Sequence, residues 1–160
     1  MAFERTTQAA EKYREYQPKH PPELFSLIIN FVKDKEFTKY PLAVDVGCGP
    51  GLMSTVCLAP YFNKVIGVDI SESRIEQATF NKKHSNVEYR LSAAENLPVE
   101  EKSVTLIQAA TALHWFDLVK FYRECDRVLA PGGVVAAFCY DVLLLVVNHL
   151  QSGEINKVNR

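Results

Sequence analysis

Five runs of mostly apolar residues limit what this chain can fold into: LAVDV (42–46), KVIGVD (64–69), VEYRL (87–91), VTLIQAA (104–110) and VVAAFCY (134–140). Most are near-continuous, without the strict apolar/polar alternation of a sheet wetted on one side. That is how strands covered on both faces of a parallel sheet read. Helical periodicity fills the gaps between them. Strand and helix in turn make a doubly wound α/β sheet the economical architecture, with ligands expected at the carboxyl ends of the strands. The longest wholly apolar run, 142–147, is far shorter than the roughly 20 residues a bilayer requires.

The connecting segments carry their own signals. PPELFSLIINFVKDK (21–35) has prolines placed to begin a helix, and Leu24, Leu27, Ile28 and Phe31 at i, i+3, i+4, i+7 predict its buried stripe. In SESRIEQATFNKK (71–83) either Ser71 or Ser73 suits the N-cap, and Ser73 with Glu76 has the capping-box offset. DLVKFYRECDRVLA (117–130) predicts a stripe of Leu118, Phe121, Cys125 and Val128 before PGG ends the helix.

Between the first strand and the next helix lie Gly47, Gly49 and Gly51, and the second strand ends at Asp69. Glycines there let the backbone turn sharply and approach a ligand. An acid about 20 residues later can accept hydrogen bonds from both hydroxyls of an adenosine ribose. The pair points to an adenosine-containing cofactor. A dinucleotide fingerprint would need glycine at position 52, which is Leu52, and no Gly-Lys-Ser or Gly-Lys-Thr follows to make a P-loop. Both common phosphate cradles are disfavoured.

At these residues the chain resembles the class I S-adenosylmethionine-dependent methyltransferases. VDVGCGPG is similar to their first motif, VIGVD to their second, AAENLP to their post-second-strand loop and RVLAPGG to the turn into the fifth strand. YREYQPKHPPELF and TALHWFD resemble the type-11 domain of the trans-aconitate methyltransferase group, and the likeness runs over 3–140. It implies a Rossmann-like methyltransferase sheet and S-adenosyl-L-methionine as cofactor. It further implies that Gly47, Cys48, Gly49 and Gly51 line the cofactor's methionine end while Asp45 faces its ammonium group, directly or through water, the bland alternative for Asp45 being a solvated loop acid. Asp69 would hold the ribose and Ile70 would pack on the adenine. The loop Ala94 to Asn96, with Ala94 and Glu95 as its cofactor-binding residues, would reach the adenine edge, and Ala110, ending the fourth strand, would join the cofactor-binding set. His114 is the candidate catalytic base, Trp115 a wall of the acceptor pocket, and Tyr13 a pocket residue in a lid with Arg14 and Tyr16. Many relatives carry Asp where Ala93 stands, so the hydrogen bond to the adenine amino group falls to Glu95 or to backbone. No role is assigned to His20, His84 or His149.

These readings divide the chain into an N-terminal helical cap (1–40), a cofactor-binding α/β core (41–140) and an atypical tail (141–160). The family's sheet has two further strands, so the expectation is a mostly parallel sheet lacking them, in an apparently truncated form. With 18 Lys and Arg against 19 Asp and Glu, the formal charge is −1. No basic footprint for nucleic acid or an anionic membrane results, and a small-molecule methyl acceptor, such as a carboxylic acid, is the expected partner. A catalytically empty cofactor-binding or scaffold form is the alternative. The four cysteines show no metal-ligand spacing and are expected as buried free thiols without metal, and the first 16 residues lack a secretory signal's apolar stretch, so a cytoplasmic protein is expected.

Overall fold

The computed structural model describes residues 20–32 and 40–139. Elements follow one another as α1 (Pro22–Val32), β1 (Tyr40–Val46), α2 (Ser54–Leu58), β2 (Phe62–Asp69), α3 (Glu72–Phe80), β3 (Val87–Leu91), β4 (Val104–Ala110), a 3₁₀ turn (Leu113–Trp115), α4 (Leu118–Val128) and β5 (Leu129–Phe138). The strands form one sheet in the order β3-β2-β1-β4-β5, with every pair parallel. Strand order reverses between β1 and β4, which opens the crevice where such sheets take ligands.

Period-2 alternation sorts the strand side chains into two cores. Ala43, Val65, Val87 and Leu106 face α1 and α2, where Phe25, Ile28, Ile29, Val32 and Leu58 pack. Val44, Val46, Ile66, Val68 and Ile107 face the other way, onto Phe121, Cys125 and Val128 of α4. Both faces being covered, the strands can be apolar throughout. Pro41 is tolerated because β1 begins pairing with β4 only at Ala43.

Several local expectations are corrected. In α1 the buried stripe is Phe25, Ile28, Ile29 and Val32, while Leu27 (56% exposed) and Phe31 (75% exposed) face outward. The segment is apolar nearly all round, so two stripes satisfy the same spacing and the sheet selects one. Ser71 is the N-cap residue of α3 without a side-chain capping bond, and its Oγ lies 3.1 Å from that of Ser73. Ser73 lies inside the helix, so no capping box forms from it. In α4 Leu118 is exposed and Glu124 takes a buried position instead. The helix ends at Val128, and Pro131, Gly132 and Gly133 fall within β5, at a bulge where Leu129 pairs Val104 and Val134 pairs Leu106. Cys48 and Cys125 are buried and Cys57 is half-buried, but Cys139 is exposed, contrary to the expectation for it. Among the described residues no helix is long and apolar enough to cross a membrane.

Candidate functional site: the carboxyl edge of the sheet

The loops leaving β1, β2, β3 and β4 converge at one edge. The glycine loop after β1 uses positive φ at Gly47 (74°), Gly49 (56°) and Gly51 (69°), a conformation L side chains resist. The three positions differ in what a side chain would meet. At Gly51 a Cβ would stand 2.5 Å from Tyr89 Cε1, and at Gly47 2.5 Å from the Cβ of Ala112. At Gly49 nothing lies within 4 Å. The protein's own side chains occupy the first two, and only Gly49 opens onto space a ligand can fill.

Tyr89 explains Gly51 through strand register. Gln108, Asp45, Gly67 and Tyr89 stand in one lateral row across β4, β1, β2 and β3. Gly67 has no side chain, so the Tyr89 ring lies across β2 and its hydroxyl donates to Gly51 O at 2.8 Å. Burial pushes the Tyr89 pKa up, which keeps the phenol a donor. In the same row Asp45 is 0% exposed: Oδ2 accepts from Ser54 Oγ (2.8 Å) and Thr55 Oγ1 (2.6 Å), and Oδ1 from Gln108 Nε2 (3.1 Å). Burial raises its pKa, opposed by these hydrogen bonds. Asp45 is thus neither a solvated loop acid nor directly available to a ligand's ammonium group. It staples the start of α2 to β1 and β4 beneath the loop. Cys48 is buried within the loop, and burial holds its thiol protonated.

Asp69 closes the other side. Its Oδ2 accepts from Gly49 N–H and its Oδ1 from Ser71 N–H, both at 2.9 Å, with Arg74 Nη1 3.7 Å from Oδ2. An ionised carboxylate offers about four acceptor positions, so capacity remains for hydroxyl donors. Ile70, beside it, is 78% exposed and offers an apolar face. Ser92 N–H donates to Asp69 O at 3.0 Å, bringing the loop after β3 to the same place. In that loop Ala94 is buried, while Glu95 Oε1 accepts from Asp117 N–H at 2.8 Å. Glu95 therefore ties the loop to the N-cap of α4, an engagement the sequence did not suggest.

The segment after β4 leans on the glycine loop through Ala112 and Phe116, the neighbours of Gly47. Ala110 ends β4 opposite Phe138, and Thr111 follows at φ 55°, a strained conformation for a β-branched residue. His114 and Trp115 form the exposed 3₁₀ turn beyond, their rings 4.9 Å apart, with Trp115 81% exposed. His20 instead packs at the start of α1 against Phe138, 4.9 Å between ring centres. Tyr13, Arg14 and Tyr16 lie outside the described residues, as do His149 and the 141–160 tail.

Residues not anticipated from the sequence complete the site: Ser54, Thr55, Gln108, Tyr89, Glu124 and Arg127. One signal was present. Asp45 is the lone polar residue of LAVDV, and Gln108 interrupts the apolar stretch LIQAA; buried polar groups require partners.

These residues fit an adenosine-bearing cation: open space beside Gly49, acceptor capacity at Asp69, an exposed apolar face at Ile70. Gln108 Oε1 and Thr111 Oγ1, buried near the strand reversal, are the two buried side-chain polar atoms without a partner among the described residues.

Comparison with known proteins agrees. The methyltransferase domain family matches residues 44–137, more than half of the chain. A Dictyostelium discoideum protein named as a methyltransferase is 40% identical over 140 residues, covering 88% of this chain and 50% of the relative. A Saccharomyces cerevisiae protein named as an S-adenosylmethionine-dependent methyltransferase is 29% identical over 133 residues, covering 80% of this chain and 44% of its own length. A solved structure from Anaeromyxobacter dehalogenans, described as a type II methyltransferase, superposes with a TM-score of 0.69 at 33% identity, covering 89% of this chain and 59% of that one. The chain thus spans about half the length of the curated relatives it matches. With its glycine loop, Asp69 and five-stranded parallel sheet, the chain belongs to the methyltransferase domain family, within the class I S-adenosylmethionine-dependent methyltransferases.

Proposed function

We propose that the cleft at the carboxyl edge of β1, β2 and β4 holds S-adenosylmethionine and that the chain takes part in methyl transfer to a small-molecule acceptor. The observation that carries this reading is the open side of Gly49, bounded by the Asp69 carboxylate that accepts its N–H. S-adenosylmethionine supplies a methyl group already activated by its sulfonium. The protein's tasks are then binding and alignment, and positioning alone can lower a barrier by about 7–11 kcal/mol.

Asp69 accepts the ribose hydroxyls. Ile70 covers one adenine face, and the 92–99 loop meets the edge of the base through backbone groups, Glu95 being engaged with Asp117. Asp45, shielded from contact, fixes the loop through Ser54 and Thr55. The acceptor enters beside the 3₁₀ turn, whose neighbours Ala112 and Phe116 touch the glycine loop. There the exposed His114 removes a proton from an acceptor that needs deprotonation, and Trp115 forms an apolar wall. The absence of a basic excess in the sequence supports a small acceptor, and the likeness to the trans-aconitate group supports a carboxylic acid.

The test is methyl-label transfer from S-adenosylmethionine to pools of small carboxylic acids, phenols and amines, with RNA and protein pools in parallel. Label in a small-molecule pool, lost in His114→Ala for acceptors that must be deprotonated, is the expected result. Label confined to the RNA or protein pool contradicts the reading.

A further inference from the structure

Helix α4 grips the 92–99 loop by its backbone. Glu124, buried, accepts Leu97 N–H on Oε1 at 2.6 Å. Arg127 donates to Leu97 O (3.1 Å) and Val99 O (3.2 Å), and closes on both Glu124 oxygens at 2.6 and 2.8 Å. One helical i,i+3 pair thus satisfies three main-chain groups of a loop about 30 residues away in sequence. Such charge-assisted bonds are about twice as strong as neutral ones, and the planar guanidinium gives them direction. The same loop is fixed at its start by Ser92 N–H on Asp69 O and at its middle by Glu95 on Asp117 N–H. Ala94 and Leu97 bury their side chains in the α4-side core, which holds the loop from that side as well.

We propose that Glu124 and Arg127 are positioning residues for the base end of the cofactor site: by setting the 92–99 backbone, they set the discrimination between an adenine and a hypoxanthine base. The inference rests on the reading that this loop meets the adenine edge. An adenine amino group donates where the corresponding hypoxanthine oxygen accepts, so a backbone carbonyl held in place favours the first and is left without its donor by the second. Neither residue touches the ligand. Their effect passes through Leu97 and Val99.

The experiment compares calorimetric affinities for S-adenosylhomocysteine and S-inosylhomocysteine in the full chain, in Arg127→Met and in Arg127→Lys, with thermal unfolding as the check on folding. The wild type is expected to prefer the adenosyl compound. Arg127→Met is expected to narrow that preference by about five-fold, a change in the range such indirect substitutions produce. Arg127→Lys, which keeps the charge but cannot bridge both carbonyls and Glu124 together, is expected to fall between. Should Arg127→Met not fold, Glu124→Gln, which keeps an acceptor for Leu97 N–H, takes its place with the same expected narrowing. A folded variant that keeps the wild-type ratio, or that weakens both compounds equally, overturns the proposal. A wild type that binds both compounds without preference overturns it while leaving cofactor binding intact. A wild type that binds neither overturns the underlying cofactor reading as well.

Discussion

Gly49 and Gly51 stand two residues apart with nearly the same φ, yet replacing each by Ala is predicted to do different things. At Gly49 the added Cβ meets nothing within 4 Å, so the folded state suffers only the left-handed backbone penalty, about 1–2 kcal/mol. For a chain of this length that lowers the melting temperature by about 2–8 °C. The methyl group, however, projects into the space assigned to the cofactor. Overpacking there, about 1–3 kcal/mol, weakens S-adenosylhomocysteine roughly 5- to 150-fold. At Gly51 the backbone penalty is joined by collision with the Tyr89 ring and by strain on the Tyr89 hydroxyl's bond to Gly51 O. The cost rises to about 3–6 kcal/mol, a large part of a domain's whole stability. Circular-dichroism melts and calorimetric titration of the two variants separate these effects. A Gly49→Ala protein that binds like wild type, or a Gly51→Ala protein that melts no lower than Gly49→Ala, would refute the division of the loop into an open and an occupied glycine.

Two further outcomes follow from the packing. Ile28→Ala should cost about 2–4 kcal/mol in urea unfolding and Phe31→Ala no more than about 0.5 kcal/mol, because α1 buries the first and exposes the second; equal costs would contradict the orientation of the helix. Burial raises the Asp45 pKa, so its contribution to stability is present below the ordinary carboxylate value and is lost as pH rises through the raised folded value. Relative to wild type, Asp45→Asn should therefore gain stability as pH climbs from about 4 and level off above that folded value, whereas a difference independent of pH would contradict it.

The sheet was legible because each strand is a compact apolar run flanked by turn residues: β3 and β4 match their predicted spans, 87–91 and 104–110. Strand starts were less so. β1 begins at Tyr40 and β2 at Phe62 because those two residues pair with each other, and pairing is not a local property. The site's two acids were legible from their placement at strand tips, but their partners were not. Tyr89 reaches the glycine loop only because β2 presents Gly67 in the same register, and Glu124 reaches Leu97 only because α4 packs over the 92–99 loop. The face that α1 buries is not fixed by its own residues, because LFSLIINFV supplies apolar residues to more than one stripe and only the sheet distinguishes them.

If Gly49 and Asp69 together form the cofactor seat, calorimetric titration of the wild type and of Asp69→Ala with S-adenosylmethionine must tell the two proteins apart. Saturable one-to-one binding by the wild type is expected, with a loss of at least about ten-fold in a variant that still unfolds cooperatively, since hydrogen bonds to a charged acceptor contribute about 1.5–3 kcal/mol each. Wild-type protein giving no heat at millimolar cofactor, or Asp69→Ala binding as tightly as wild type, would contradict that assignment.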